Sequence, residues 1–203
     1  MRIRVTFSKQ GALRYIGHLD LHKIWERSIR RAKLPLAYSQ GYHPQPKINL
    51  AAALPLGFSS QAEVMDMWLN GDVQDVIPAL QANVPPGLTI MEASQVDDRE
   101  PSLQSQVIAA EYQVEITEAD SAFGLNEKVA SVLKSESILR VRRKKEYDLR
   151  PLIEELTIQA DNLIIMRLTA REGATGRPEE VLDVMGIPLE DTRIERVKLL
   201  FKE

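Results

Sequence analysis

The sequence predicts an α+β fold built twice: two ferredoxin-like (split βαβ) units in tandem, with antiparallel sheets and helices on one face of each. Three observations lead there. Residues 1–8 alternate polar and apolar, residues 21–32 repeat apolar positions at helical spacing, and the order strand, helix, strand, strand, helix, strand occurs on both sides of a polar stretch. A period of two buries one face of a strand and a period near 3.6 buries one stripe of a helix, so the two patterns together describe helices laid on sheets.

Met1, Ile3, Val5 and Phe7 fall on one face of the first strand, with Arg2, Arg4, Thr6 and Ser8 on the other. Asp20 then offers an N-cap, and "LHKIWERSIRRA" places Leu21, Ile24, Trp25, Ile29 and Ala32 on one helical stripe before Pro35 ends it. Ile48, Leu50 and Ala52 alternate with Asn49, Ala51 and Ala53, "LPLG" turns the chain, and "EVMDMWL" reads as a third strand. "DVQDVIPALQANV" gives a second helix and "GLTIMEA" a fourth strand. The first domain is thus expected at 1–96, a linker "DDREPSLQSQ" at 97–106, and the second domain at 107–203. In that half the order returns as "IAAEYQVEIT", "AFGLNEKVASVL", "ILRVRRKK", "NLIIMRLT", "PEEVLDVMG" and "TRIERVKLLF". An insertion, about 146–161, precedes its third strand.

Charge is more informative than its total. The formal net charge is −3, yet residues 1–50 carry ten Lys and Arg against two Asp and Glu, whereas residues 51–100 carry one against eight. A basic block of this kind steers a polyanion to one surface; two opposite blocks can equally face each other and neutralise. The absence of cysteine excludes disulfides, thiolate metal sites, iron–sulfur clusters and cysteine nucleophiles. No apolar run approaches the ~20 residues of a membrane span, so a cytoplasmic location is expected.

Lys23, Arg27, Arg30 and Arg31 stand at i, i+4, i+7 and i+8 on the first helix, one outward face along which a phosphate backbone could lie. Lys9, Arg14 and Lys47 flank it in sequence, and the same stripe also fits a solvated helix face. "RYIGHLDLH" sets His18 just before the helix and His22 in its first turn. Three readings compete there: His18 as general acid or base toward an RNA 2′-hydroxyl, His18, Asp20 and His22 as metal ligands, or histidines hydrogen-bonded in a turn. No metal or cofactor is expected. In "GYHPQPKINLAAALPLG" each proline stiffens the residue before it, which holds His43, Gln45 and Lys47 in one projection.

Farther on, Arg140, Arg142 and Lys144 are expected on one face of an edge strand, with Arg143 between them. "REGATGRPEEVL" sets Gly173, Gly176, Arg171 and Arg177 ahead of a helix at Pro178, either a phosphate cradle or a loop capped by Glu179 and Glu180. Walker, dinucleotide-binding and nucleophile-elbow motifs are absent, and aromatics make up only 5%, which disfavours base stacking and leaves backbone recognition.

The stretch "FSKQGALRYIGHLDLHKIWERSIRRAKLPLAYSQGYHPQPKINLAAALPLG" resembles the radical-SAM-linked bacterial proteins of unknown function, and "YDLRPLI" and "RPEEVL" are similar to later landmarks of that family. His18 and Asp20 match its "HLD"; His43 and Gln45 depart from its pattern of an asparagine followed two places later by a histidine. The resemblance implies a bacterial protein whose partner is a separately encoded radical SAM enzyme. The tandem order also resembles the CRISPR repeat-processing endoribonucleases in architecture. The expectation is an RNA-binding accessory module, without a radical SAM cluster of its own, acting on transfer or ribosomal RNA through Lys9, Arg14, His18, His22, Lys23, Arg27, Arg30, Arg31, His43 and Lys47. Its alternatives are a metal-independent endoribonuclease using His18 and a domain that docks the radical SAM partner.

Overall fold

Strand β1 (Arg2–Lys9) buries Ile3, Val5 and Phe7 on one face, and the alternation that predicts it extends to Lys9. In the computed structural model, which describes residues 1–202, the chain divides into two compact units, the first spanning Met1–Val107 and the second beginning at Ile108. In the first unit α1 (His18–Arg31) follows β1. It begins three residues earlier than the sequence indicates. Gly17, not Asp20, is the N-cap: its extended backbone presents the carbonyl that accepts from Leu21 N–H at 2.9 Å, while Asp20 lies inside the first turn. Leu21, Trp25 and Ile29 turn inward, and Trp25 meets Phe7 of β1 edge-on with ring centroids 4.7 Å apart.

The helix ends in two reciprocal bonds, Lys33 N–H to Arg30 O and Leu34 N–H to Ile29 O, with Lys33 left-handed at φ 56°. This is the Schellman closure, usually built on glycine. Beyond it come β2 (Ile48–Leu50), β3 (Ser59–Trp68), α2 (Val76–Gln81), β4 (Leu88–Val96) and α3 (Leu103–Gln106). The strands lie in the order β4–β1–β3–β2, and each of these pairings is antiparallel. Helix α1 therefore crosses from β1 to β2 and α2 from β3 to β4. One core of Phe7, Trp25, Ile29, Met65, Met67 and Leu80 results, all fully buried.

The polar side of β1 carries a buried charge cluster. Asp66 on β3 lies directly opposite Arg4 and receives Arg4 Nε at 2.9 Å and Arg2 Nη2 at 2.5 Å. Arg2 and Asp66 are 2% and 0% exposed. The Arg2 guanidinium also donates to the carbonyls of Glu100 at 2.9 Å and Pro101 at 3.0 Å, and Gln104 Nε2 donates to Leu50 O at 2.9 Å. Residues 97–106, which read as a linker, are in this way tied to the first unit.

The second unit contains β5 (Val107–Ile116), α4 (Ala119–Ala122), α5 (Leu125–Lys134), β6 (Leu139–Arg142), β7 (Lys145–Asp148), β8 (Ile153–Ala160), β9 (Leu163–Arg171), β10 (Ala174–Thr175), α6 (Pro178–Val184) and β11 (Thr192–Phe201). Its sheet runs β10–β9–β5–β11, with β8 also paired to β9. Ile164, Met166 and Leu168 of β9 are fully buried at alternate positions, as a period of two requires. One element departs from the sequence reading. "ILRVRRKK" is not a strand of this sheet: it folds back at Arg143–Lys144 into the separate β6–β7 hairpin, and β8, drawn from the supposed insertion, pairs with β9.

Replacing Asp66 by alanine should cost about 3–5 kcal/mol, because it strands the buried Arg2 charge without a counter-ion. Arg4→Ala leaves the Arg2–Asp66 pair intact and should cost far less. Urea denaturation of the two variants beside the parent checks the order.

Candidate nucleic-acid interface

The outward side of α1 is cationic. Lys23, Arg27, Arg30 and Arg31 are all exposed, opposite the buried stripe of Leu21, Trp25 and Ile29. Two of the four have acidic neighbours, both on the same helix: Lys23 with Asp20 at 3.5 Å and Arg30 with Glu26 at 4.0 Å. Exposed pairs of this kind are worth ~0–1 kcal/mol and are open to exchange. Among the described residues Arg27 and Arg31 meet no carboxylate, and Arg31 donates weakly to Ser28 Oγ at 3.4 Å. The acidic block at 51–100 thus claims Arg2 and Arg4 through Asp66, with Arg4 also 3.4 Å from Glu100, and leaves the helix face open.

Lys33 adds a fifth cation that the sequence reading passed over, exposed at the helix end beside Arg30 and Arg31. Its signal was there: it sits between the last helical residue and Pro35, the usual place for a helix stop. Arg30 and Arg31 in the last turn, with Lys33 just beyond it, complement the helix dipole, roughly half a negative charge, and exceed it. That end of α1 stays positive.

The remaining residues separate by burial. Lys9 is 1% exposed and its ammonium donates to Ile16 O at 3.2 Å, which corrects its assignment to a phosphate-contacting surface. It continues the Ile3, Val5, Phe7 side of β1, so strand alternation turns it inward. His22 is half-buried with Nε2 3.2 Å from Ile48 O; with the proton on Nε2 it donates to that carbonyl and fastens α1 to β2. His18 is exposed at the first helical position. Arg14 lies over the Tyr15 ring, 4.6 Å from its centroid, and bonds to its hydroxyl. Among the described residues no group of three or more His, Asp or Glu side chains is arranged to hold a metal ion.

His43 and Lys47 belong to one protruding loop. Ser39 N–H donates to Gln45 O at 2.8 Å, Gln45 N–H to Ser39 Oγ at 2.9 Å and Lys47 N–H to Ala37 O at 2.9 Å, which closes the loop at its base. Its tip carries His43 and the fully exposed Tyr42. Lys47 projects from the root of the loop, where its own carbonyl accepts from Trp68 N–H at 3.1 Å. The prolines do not act alone as a spacer; a hydrogen-bonded ladder holds them.

In the second unit Arg140 and Arg142 are already occupied. Arg140 pairs with Asp183, and Arg142 with Glu180, Tyr147 and the Thr175 carbonyl, so β6 turns its arginines toward α6 and its Leu139 and Val141 toward solvent. This reverses the expected edge strand with outward arginines. The glycine-rich loop is closely packed at Gly176, whereas a Cβ on Gly173 would meet nothing within 4 Å. A Cβ on Gly176 would come within 3.0 Å of Leu152 O, so that glycine serves close packing.

The match with known proteins agrees with a bacterial origin. The chain belongs to the bacterial family described as an uncharacterized protein conserved in bacteria (DUF2344), whose model covers residues 2–178. None of the curated proteins matches it. Among the described residues no helix is long and apolar enough to cross a membrane.

Burial pushes the Glu179 carboxyl above its ordinary value, against the opposing pull of its own N–H and of Arg177. A raised carboxyl favours folding below its unfolded pKa, and that contribution is lost as pH rises through the folded value. Glu179→Gln should therefore raise stability at neutral pH and lose that gain in acid, as denaturation midpoints at the two pH values would register.

Proposed function

We propose that the chain is an RNA-binding accessory module that grips the phosphate backbone of a folded RNA along the outer face of α1 and presents it to a separately encoded enzyme. One observation carries this reading: among the described residues Arg27 and Arg31, flanked by Lys23, Arg30 and Lys33, are exposed without acidic partners. Several such cations neutralise successive phosphates and release their counter-ions, a source of affinity that needs no base contact. The scarcity of aromatics fits the same mode, since backbone and shape readout do not require stacking platforms. Arg14, Lys47, His18 and His43 are the further contacts of this reading, and His22 is assigned to holding the helix.

The strand order β4–β1–β3–β2 of the first unit, and β11–β5–β9–β8 of the second, supports a ferredoxin-like assignment for each, the second carrying the β6–β7 hairpin as an insertion. The partner enzyme in this proposal is a radical SAM protein, as the resemblance of residues 7–60 implies, and the setting is the cytoplasm. The cysteine-free chain would supply binding and orientation, and the partner would supply the cluster and the chemistry.

Fluorescence anisotropy with a labelled stem–loop RNA, measured across a potassium chloride series, tests the reading. The parent should bind with a steep salt dependence, and the Arg27→Glu, Arg31→Glu double variant should bind at least about tenfold more weakly, with a slope shallower by about 1.5. A flat salt response, or a variant that binds like the parent, would overturn it. Cleavage of the RNA in chelator that disappears in His18→Ala would replace the module with a nuclease.

A further inference from the structure

The tip of the β6–β7 hairpin is built from cations in a conformation that side chains avoid. Arg142 pairs with Lys145 across the hairpin, so Arg143 and Lys144 are its whole loop, with φ of 52° and 65°. A two-residue loop with both central φ positive is the type I′ turn, which Asn-Gly or Asp-Gly fills with least strain. Here the two positions hold long basic side chains. Arg143, Lys144 and the adjacent Lys145 are exposed, and among the described residues none of the three side chains has an acidic or hydrogen-bonding partner.

The base of the hairpin is held firmly. Arg142 Nε meets Glu180 at 3.0 Å, its Nη1 donates to Thr175 O at 2.9 Å, and its guanidinium lies 4.7 Å from the centre of the Tyr147 ring. Asp148 closes the far end by accepting from Ile138 N–H at 2.8 Å and Arg150 N–H at 2.9 Å, bonds that hold its carboxyl below its ordinary value. Glu180 and Asp183 of α6 are thereby held at the base by Arg142 and Arg140, and Glu179 pairs with Arg177. The result is a stiff two-stranded ribbon with three uncompensated charges at its end.

We infer that this hairpin is a second phosphate-backbone contact for RNA, one that rests on the RNA-binding reading of α1. A protruding ribbon whose cations fan outward can follow a sugar–phosphate backbone, and a rigid base lowers the ordering cost of each contact. Two of the three tip residues are lysines, which are depleted from protein–protein interfaces, so an acidic protein surface fits the tip less well.

The test uses the full chain carrying Arg143→Asn and Lys144→Gly, a pair that removes two charges while giving the turn its preferred residues. Affinity for the stem–loop RNA should fall several-fold and the salt slope by about 1.5, with the melting temperature equal to or above that of the parent. Unchanged affinity and slope in this variant, while the α1 charge reversal abolishes binding, would remove the hairpin and leave the α1 reading standing. Loss of RNA binding already in the parent would sink the α1 reading and this one together. Displacement of the RNA by polyglutamate at matched charge concentration, lost in the turn variant, would reassign the tip to an acidic polypeptide.

Discussion

The first unit depends on one buried carboxylate. Asp66 sits in the middle of β3 with no exposure, and a lone charge there would be prohibitive; Arg4 directly across the ladder and Arg2 two residues away make it tolerable. Arg2 then spends its remaining donors on the carbonyls of Glu100 and Pro101, so one ionic cluster fixes the β1–β3 register and anchors the chain after β4. A slip of one residue would carry Asp66 to the apolar face, and so the cluster specifies the register as well as stabilising it.

That cluster also decides what the charge asymmetry means. Opposed blocks of charge admit two outcomes, mutual neutralisation or separation, and the sequence holds both. The structure divides them by element: the strand arginines go to the acidic block, and the helix cations stay outside it. The division follows from geometry. Arg2 and Arg4 lie on a strand whose neighbour carries Asp66, whereas the apolar stripe of α1 faces the sheet and leaves Lys23, Arg27, Arg30 and Arg31 pointing away from it.

Much of this was legible in the sequence where a period was long enough to read. The stripe of α1 and the alternation in β1 and β9 needed only composition and spacing, and Lys9 would have been read as buried had its parity with Ile3, Val5 and Phe7 been followed to the end of the strand. What stayed hidden were features set by single backbone angles or by distant partners. The turn at Arg143–Lys144 carries none of the glycine or asparagine that marks a hairpin, so "ILRVRRKK" looked continuous, and β8 was displaced into an insertion as a consequence. Asp20 looked like a cap because a carboxylate beside a helix start usually is one; Gly17, which does the capping, has no side chain to announce it.

The non-glycine residues at positive φ bear on function in a way that charge counts do not. Among the described residues they are Lys33, Asp75, Arg143 and Lys144, and three of the four are cations on exposed turns. Each such residue costs folding free energy that glycine or asparagine would spare, on the order of 1 kcal/mol. For Lys33 part of that cost is returned locally, because a cation at the C-terminus of α1 meets the helix dipole. Arg143 and Lys144 have no such return: a two-stranded hairpin has little dipole of its own, among the described residues their exposed side chains have no acidic or hydrogen-bonding partner, and Asp183 and Glu180 of α6 are already held by Arg140 and Arg142. The strain at that turn has no counterpart within the fold, and a binding partner with negative charge is the simplest place to look for one.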